Sequence, residues 1–255
     1  MLQVYEVRGA WGVPSLSPFC VKLTTWLRMA GVAHVVKQPS APFGSPKGKV
    51  PYIVLDDGAR MGDSGLVIAH LTAVHGVQLD AHLSLLQRAQ AHALRRMLEE
   101  GLYFVLLYGR WIDDIGWPHT RAAIFGFLPQ PLRMLVPAMI RSKVRGYLHG
   151  QGTGRHSQAE IEALGRGDIN ALATVLGDQP YFFGEPSSFD ASAYGFLVNL
   201  LASPAMPGLK AHAANHANLV AYCERMRARY WPESPVLEAV AQLPSPLPSV
   251  RSSLG

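Results

Sequence analysis

The four residues Ser17-Pro18-Phe19-Cys20 place a hydroxyl and a thiol where a helix is predicted to begin. A serine at the N-cap followed by proline at the first helical position is typical of a helix N-terminus. The unpaired N–H groups of that terminus favour negative charge, so the Ser17 hydroxyl lies where an anion is stabilised. Because a serine cannot form the disulfide of a Cys-x-x-Cys pair, the sequence disfavours dithiol exchange. Cys20 is interpreted as a small buried residue, with a nucleophilic role as the alternative.

Two further motifs indicate a site for a short peptide that carries a carboxylate. Val50-Pro51 opens a predicted strand, where the missing proline N–H is tolerated, and Val50 offers its own N–H and C=O. Asp63-Ser64 opens a predicted helix, whose free N–H groups favour a carboxylate. An ordinary N-cap pair is the alternative for Asp63 and Ser64. The combination of both motifs favours binding.

These motifs resemble those of a known family. The run Ser45-Pro46-Lys47-Gly48-Lys49-Val50-Pro51, followed by Asp63-Ser64, resembles the glutathione site of the glutathione transferase family. The segments 15–20 and 27–31 are similar to the branch that contains the failed-axon-connections and metaxin-like proteins. The resemblance continues through 187–191 and 222–226, and it covers nearly the whole chain except its C-terminal end.

The resemblance implies an α/β thioredoxin-like N-terminal domain plus an all-α C-terminal domain. The predicted elements agree, since strands and helices alternate as β-α-β then β-β-α up to Gly76 and only helices follow. We expect a glutathione-binding domain over 1–77, a helical domain over 83–242 and a mobile tail over 243–255, which is rich in proline and serine.

By resemblance, Ser17 would donate a hydrogen bond to the sulfur of bound glutathione. Lowering a thiol pKa by about two units requires roughly 2.7 kcal/mol. One hydrogen bond to a charged group contributes about 1.5–3 kcal/mol, and the helix N-terminus adds about 0.3–1 kcal/mol. One serine at a helix end is therefore enough to hold a thiolate. Ser15 is the second candidate for this role and Tyr5 the third, while a purely structural N-cap is the alternative for Ser17.

The remaining glutathione contacts are assigned by the same resemblance. Lys49 would approach the glycyl carboxylate or the peptide backbone. Val50 would bind the peptide through its own backbone, ahead of a cis bond to Pro51. The Ser64 hydroxyl and N–H would bind the γ-glutamyl carboxylate, and Asp63 would attract the ammonium group.

The sequence also contains candidate residues for a second-substrate site. Aromatic residues toward the end of the long predicted helix could line an apolar cleft for a small hydrophobic electrophile; Tyr108 and Trp111 are the named candidates, with Tyr103 and Phe104 beside them. Aromatic residues at helical spacing are more often part of a core. The preferred function is conjugation of the glutathione thiolate to such an electrophile. A non-catalytic interaction or scaffold protein, and a thiol transferase that uses Cys20, are the alternatives.

Composition and charge exclude several classes of protein function. Apolar residues form 49% of the 255 residues and charged residues 16%, which excludes a disordered chain. The net charge of +5 comes from scattered Lys and Arg, so we predict no nucleic-acid binding and a mild attraction for an anionic peptide. With two cysteines far apart and no His-Glu-x-x-His motif, we predict no metal and a cytoplasmic location.

The remaining expectations concern targeting, membrane contact, assembly and helix capping. The N-terminus lacks the pattern of a signal peptide. The apolar segment 122–140 is interrupted by three prolines and Arg133, which disfavours a transmembrane helix and leaves contact with a membrane surface or a partner as an alternative. By resemblance we expect a homodimer. Ser187 and Asp190 have the spacing of a capping box, for which we expect a structural role.

Overall fold

The computed structural model of the protein describes residues 1–39 and 44–237. Four strands form one mixed sheet; they are β1 (Leu2–Tyr5), β2 (His34–Lys37), β3 (Tyr52–Val54) and β4 (Arg60–Gly62). The strand order is β2-β1-β3-β4, with β1 parallel to β2 and antiparallel to β3. In this register Val4 lies opposite both Val36 and Ile53. The parallel pair requires a crossover, which a helix supplies.

Helix α1 (Pro18–Met29) makes that crossover, and α2 (Ser64–His75) follows β4. The apolar faces of both helices cover the sheet, and the shared core includes Val4, Trp26, Ile53 and Val67, all without exposed surface. Gly76 ends α2 in the left-handed conformation that glycine adopts easily. This part of the chain confirms the predicted α/β architecture.

The rest of the described chain is helical. Its α-helices are α3 (Leu85–Arg96), α4 (Tyr103–Trp111), α5 (Gly116–Phe125), α6 (Leu132–Gln151), α7 (Gln158–Leu176), α8 (Ser188–Leu201), α9 (Pro207–Ala214) and α10 (Ala217–Tyr230). A π-helical segment, Met97–Leu102, joins α3 to α4. The long helix predicted over 83–108 is therefore divided, and π-helical turns of this kind often occur at functional sites.

Several boundaries differ from the sequence-based expectation. Helix α5 was not predicted from the sequence; its Pro118 lies in the first helical turn, where no intrahelical N–H is needed. Helix α9, which begins at Pro207, was also missed. The glycine-rich stretch 150–154 is not a loop throughout, since α6 continues to Gln151 and a 3₁₀ turn, Thr153–Arg155, follows. The predicted tail 243–255 and the end of the predicted helical domain lie outside the described residues.

Helix α8 is the centre of the molecule. Nearly all of its residues are buried, and the predicted capping box at its start is confirmed, since the Ser187 N–H and hydroxyl both donate to Asp190 Oδ2 at 2.8 Å. Helix α1 packs directly on α8 at Gly195, where an added Cβ would lie 2.6 Å from the Pro18 carbonyl oxygen. The close contact fixes the start of α1 against the helical part of the protein.

Candidate functional site

A cleft of about 2040 Å³ separates the edge of the α/β part from helices α3 to α6. One wall consists of loop and helix-start residues of the α/β part: Ser17, Pro18, Lys47, Lys49, Val50, Pro51, Asp63 and Ser64. The opposite wall consists mainly of apolar side chains from α4 to α6: Tyr103, Phe104, Leu107, Trp111, Ile124, Phe125, Val136, Ile140 and Val144. A polar wall facing an apolar one suits a ligand pair of contrasting polarity.

Ser17 lies at the polar wall as the N-cap of α1. Its hydroxyl oxygen accepts a hydrogen bond from the Cys20 N–H at 3.4 Å. This bond uses an oxygen lone pair, so the hydroxyl proton can be donated to the Cys20 thiol, whose pKa it lowers, or to a ligand. An N-cap role and a ligand role for Ser17 are therefore compatible, although the sequence presented them as alternatives.

A buried network holds the loop before Ser17 in place. The Arg110 guanidinium donates to the Leu16 carbonyl at 2.5 Å and to the Asn199 carbonyl at 2.7 Å, and Asn199 Nδ2 donates to the Ser15 carbonyl at 3.3 Å. Burial lowers the pKa of Arg110 to about 10, against a smaller opposing effect of Tyr103. The sequence analysis missed both Arg110 and Asn199, because the contacts join residues more than 80 positions apart.

The other two hydroxyl candidates do not line the cleft. Ser15 has no exposed surface, and its hydroxyl donates to the Val7 carbonyl at 2.8 Å while accepting from the Ser17 N–H at 3.3 Å. The Tyr5 ring stacks on Tyr52, with ring centroids 4.6 Å apart, on the opposite face of β1 from buried Val4. Ser17 is thus the candidate that the structure brings to the cleft.

Cys20 is fully buried beneath Ser17. Burial, with a smaller contribution from the nearby Glu6 carboxyl, raises the pKa of the Cys20 thiol to about 12. A thiol in this state is neutral near pH 7, and the thiolate is the reactive form. The structure therefore favours the interpretation of Cys20 as a buried side chain.

The loop that leads into β3 presents its backbone to the cleft. The Val50–Pro51 peptide bond is cis, as the resemblance implied. Within the two described ranges, neither the N–H nor the C=O of Val50 has a hydrogen-bond partner. The Lys49 N–H donates to Ser45 Oγ at 3.0 Å, and its exposed ammonium lies 5.9 Å from the ring centroid of Tyr147 on α6. An extended peptide could pair with Val50 beside a positive charge.

Asp63 and Ser64 form the start of α2 at the other end of the polar wall. Asp63 adopts a positive φ of 81° and caps the helix, since its Oδ1 accepts from the N–H groups of Gly65 at 2.9 Å and Leu66 at 3.1 Å. Ser64 is buried but faces the cleft, and among the described residues its hydroxyl has no partner. A free hydroxyl at a helix N-terminus is suited to a carboxylate.

A buried ion pair lies behind this helix start. Lys22 Nζ on α1 is 2.5 Å from Glu99 Oε1 in the π-helical segment, and their side chains are 2% and 15% exposed. Burial lowers the pKa of Lys22, and the nearby Glu99 carboxylate opposes that shift. Glu99 also lines the cleft, so it places a second carboxylate near Asp63. Sequence reasoning missed this pair, because its partners come from the two different parts of the fold.

The apolar wall contains one of the two named aromatic candidates. Trp111 lines the cleft, with ring centroids 5.8 Å from Trp117 and 6.1 Å from Phe125, whereas Tyr108 is not among the lining residues. Tyr103 and Phe104 also reach the cleft. The contributions of α5 and α6 were missed, since α5 itself was not predicted.

The described residues contain neither a metal-ligand cluster nor a membrane-spanning helix. In ranges 1–39 and 44–237, no three His, Cys, Asp or Glu side chains are grouped as metal ligands would be. Across those ranges, no helix combines the length and the apolar character needed to span a bilayer.

Comparison with known proteins identifies the fold family. The family model for the glutathione S-transferase N-terminal domain matches residues 18–116, and the model for the C-terminal domain matches residues 165–226. Together these matches span the cis-proline loop, the start of α2 and most of the helical part.

Relatives that match most of this chain give the same result. The chain is 36% identical over 236 residues to an isoprene-epoxide–glutathione S-transferase of Rhodococcus, which covers 90% of this chain and 99% of the relative. It is 30% identical to Failed axon connections of Drosophila melanogaster over 98% of this chain and 64% of that protein. It is also 30% identical to mouse Metaxin-1 over 91% and 75% of the two chains.

A solved structure supports the fold assignment. A glutathione S-transferase from Methylobacterium radiotolerans, solved with glutathione sulfonate, superposes with a TM-score of 0.59 at 16% identity and covers 91% of this chain and 93% of its own. From the matched domains and the relatives, the chain belongs to the glutathione S-transferase family, and its homologues include Failed axon connections and the metaxins.

Proposed function

We propose that this protein binds glutathione along the polar wall of the cleft and conjugates its thiolate to a small apolar electrophile held by the opposite wall. The observation that supports this most is the position, on one wall, of three groups that can hydrogen-bond to a ligand. They are the Ser17 hydroxyl proton, the Val50 backbone and the Ser64 hydroxyl. Each matches a different part of the tripeptide: sulfur, peptide backbone and γ-glutamyl carboxylate.

The proposed mechanism needs little from the protein beyond placement and charge. The N-terminus of α1 and the Ser17 hydroxyl stabilise the thiolate, and the sulfur then attacks an electrophilic carbon while the bond to the leaving group breaks. The carboxylates of Glu99 and Asp63 would surround the γ-glutamyl ammonium group. Each has one oxygen engaged, Glu99 in the Lys22 ion pair and Asp63 in the α2 cap, so each has a second oxygen for the ligand. The Rhodococcus relative is named for the conjugation of an epoxide, which is consistent with this reaction class.

Binding is tested by calorimetric titration of glutathione into the full-length protein. We expect wild type to bind and Ser64→Ala to bind about tenfold more weakly, because a carboxylate loses a charge-assisted hydrogen bond. Ser142→Ala, an exposed serine of α6 away from the cleft, is the control. Absence of binding to wild type at millimolar glutathione would contradict the proposal.

Catalysis is tested by turnover with a generic electrophile. Removing the Ser17 hydroxyl in Ser17→Ala should lower kcat about 10- to 100-fold with nearly unchanged glutathione affinity, since one hydrogen bond to the thiolate is lost. An unchanged rate would exclude this hydroxyl from the mechanism. The thiol-transferase alternative gains little support, because Cys20 is fully buried and its thiol is neutral near pH 7.

A second candidate function, interaction with a surface, rests on the charge of the segment 115–159. This segment holds six of the 23 Lys and Arg residues and none of the 18 Asp and Glu residues, so the rest of the chain has a net charge of −1. On α6, the positions Leu132, Leu135 and Met139 form a stripe at i, i+3 and i+7 and are 46%, 64% and 67% exposed. Exposed apolar residues among basic ones fit an anionic membrane surface.

This candidate is tested by sedimentation with vesicles of phosphatidylcholine, with and without phosphatidylglycerol. We expect salt-sensitive binding only to the anionic vesicles, and loss of binding in Leu135→Glu. Leu86→Glu, at a leucine of α3 that is 69% exposed against 64% for Leu135, should bind as wild type does. Glutathione turnover without vesicle binding would favour the enzyme alone, and vesicle binding without turnover would favour the scaffold.

A further inference from the structure

Glu6 follows strand β1 and is an unusual residue for a buried position. It shares a face of the strand with Val4, is 5% exposed, and lines the cleft beside Val7 and Ser17. Its buried oxygen Oε2 has no hydrogen-bond partner among the described residues. Acidic side chains are rarely buried without a partner, and such a group requires an explanation.

The surroundings of Glu6 place it under the start of α1. The Cys20 thiol is a shared neighbour of these groups, since the Glu6 carboxyl and the hydroxyls of Ser17 and Ser15 all affect its pKa. Glu6 and Ser17 are therefore both close to Cys20, and both line the cleft. This is the region where the proposed function places the glutathione sulfur.

The charged group that could neutralise Glu6 is engaged elsewhere. Arg28 on α1 is the charge that acts on Glu6, but its guanidinium pairs with Glu233 at 2.6 Å, donates to the Tyr230 carbonyl at 2.7 Å and stacks on Trp231. Burial raises the pKa of Glu6 to about 8, and Arg28 opposes the shift only in part. The carboxyl is therefore mostly neutral at pH 7 and carries a proton that it can donate.

We propose that the Glu6 carboxyl donates a hydrogen bond to the sulfur of bound glutathione, as a second donor beside Ser17. The proposal rests on the proposed function and adds a catalytic residue to it. When glutathione binds, its S–H bond breaks and that proton passes to solvent, while the carboxyl keeps its own proton and shares it with the thiolate. No electrons are transferred. A neutral carboxylic acid in an apolar site is an effective donor to an anion.

The proposal predicts an alkaline limit on activity. Above about pH 8 the Glu6 carboxyl loses its proton, and a carboxylate beside the thiolate repels it. Cys20 and Arg28 of α1 are the titratable and charged groups that act on this site, and Cys20 stays neutral through this range. A thiolate enzyme without Glu6 would instead keep or gain activity as pH rises.

The experiment compares wild type, Glu6→Gln and Glu6→Leu over pH 6 to about 10, with kcat/KM and the ultraviolet thiolate absorbance of bound glutathione as readouts. Wild type should lose activity above about pH 8. Glu6→Gln, which keeps a donor and cannot ionise, should not. Glu6→Leu should bind about tenfold less glutathione as thiolate at pH 7, the effect of one lost hydrogen bond to a charged group. Glu185→Gln, an exposed glutamate away from the cleft, is the control.

The outcomes are separable. If calorimetry shows no glutathione binding to wild type, the proposed function fails and this inference with it. If all variants bind and their pH profiles superimpose, only the role of Glu6 is overturned.

Thermal unfolding gives an independent check on the buried acid. A pKa raised from 4.5 to about 8 means that wild type loses stability as pH rises between those values, whereas Glu6→Gln does not. An equal pH dependence of Tm in both proteins would contradict a buried neutral carboxyl.

Discussion

The two walls of the cleft are built on different physical principles. The polar wall is made of helix starts and one loop, where Ser17, Val50 and Ser64 are positioned by backbone geometry. The apolar wall is made of side chains on α4 to α6, and α6 also exposes apolar residues to solvent. Backbone-fixed polar groups recognise one defined ligand, whereas an apolar surface accepts many shapes. Specificity is thus expected for glutathione and tolerance for the electrophile.

Removing the support of the polar wall should have the largest effect. Arg110→Met leaves the carbonyls of Leu16 and Asn199 without their buried donor. At about 1–3 kcal/mol for each unsatisfied group, we expect unfolding to become easier by roughly 3 kcal/mol. Urea unfolding measures this loss. Arg121→Met, at an exposed arginine of α5, should change stability little, and an equal loss in both variants would contradict the role of Arg110.

An intermediate effect should separate the two walls. Trp111→Ala removes a large apolar surface from the electrophile side, so KM for an apolar electrophile should rise about tenfold while glutathione affinity stays unchanged. Ser64→Ala should show the reverse pattern. Steady-state kinetics with each substrate varied in turn measures both. If either substitution affects both substrates equally, the two walls do not act independently.

The smallest effect is expected at the mouth of the cleft. Lys49 is exposed, so its attraction for a glycyl carboxylate is screened by water and is worth at most about 1 kcal/mol. Lys49→Ala should weaken glutathione binding two- to fivefold, and the difference should disappear at high salt. Titrations at two ionic strengths measure this. A salt-independent loss would indicate that Lys49 acts through its contact with Tyr147 instead.

Local sequence signals predicted the polar wall well. Ser17-Pro18 and Asp63-Ser64 are short capping motifs, and the helices begin at the residues that these motifs indicated. Glu6, Arg110 and the Lys22–Glu99 pair were missed, because their roles depend on burial and on contacts between distant segments. The broken apolar pattern after the long predicted helix did not indicate α5, in which Pro118 is tolerated because it lies in the first helical turn.

The contact of α1 with Gly195 has a consequence for sequence variation. Any larger residue there would push on the carbonyl of Pro18, immediately after Ser17 in the chain. Substitution of a residue outside the cleft would then move the Ser17 hydroxyl. Homologues that carry a side chain at this position are therefore candidates for proteins that keep the fold and have lost catalytic activity. The residue at this one position of α8 would then help to distinguish catalytic from non-catalytic relatives.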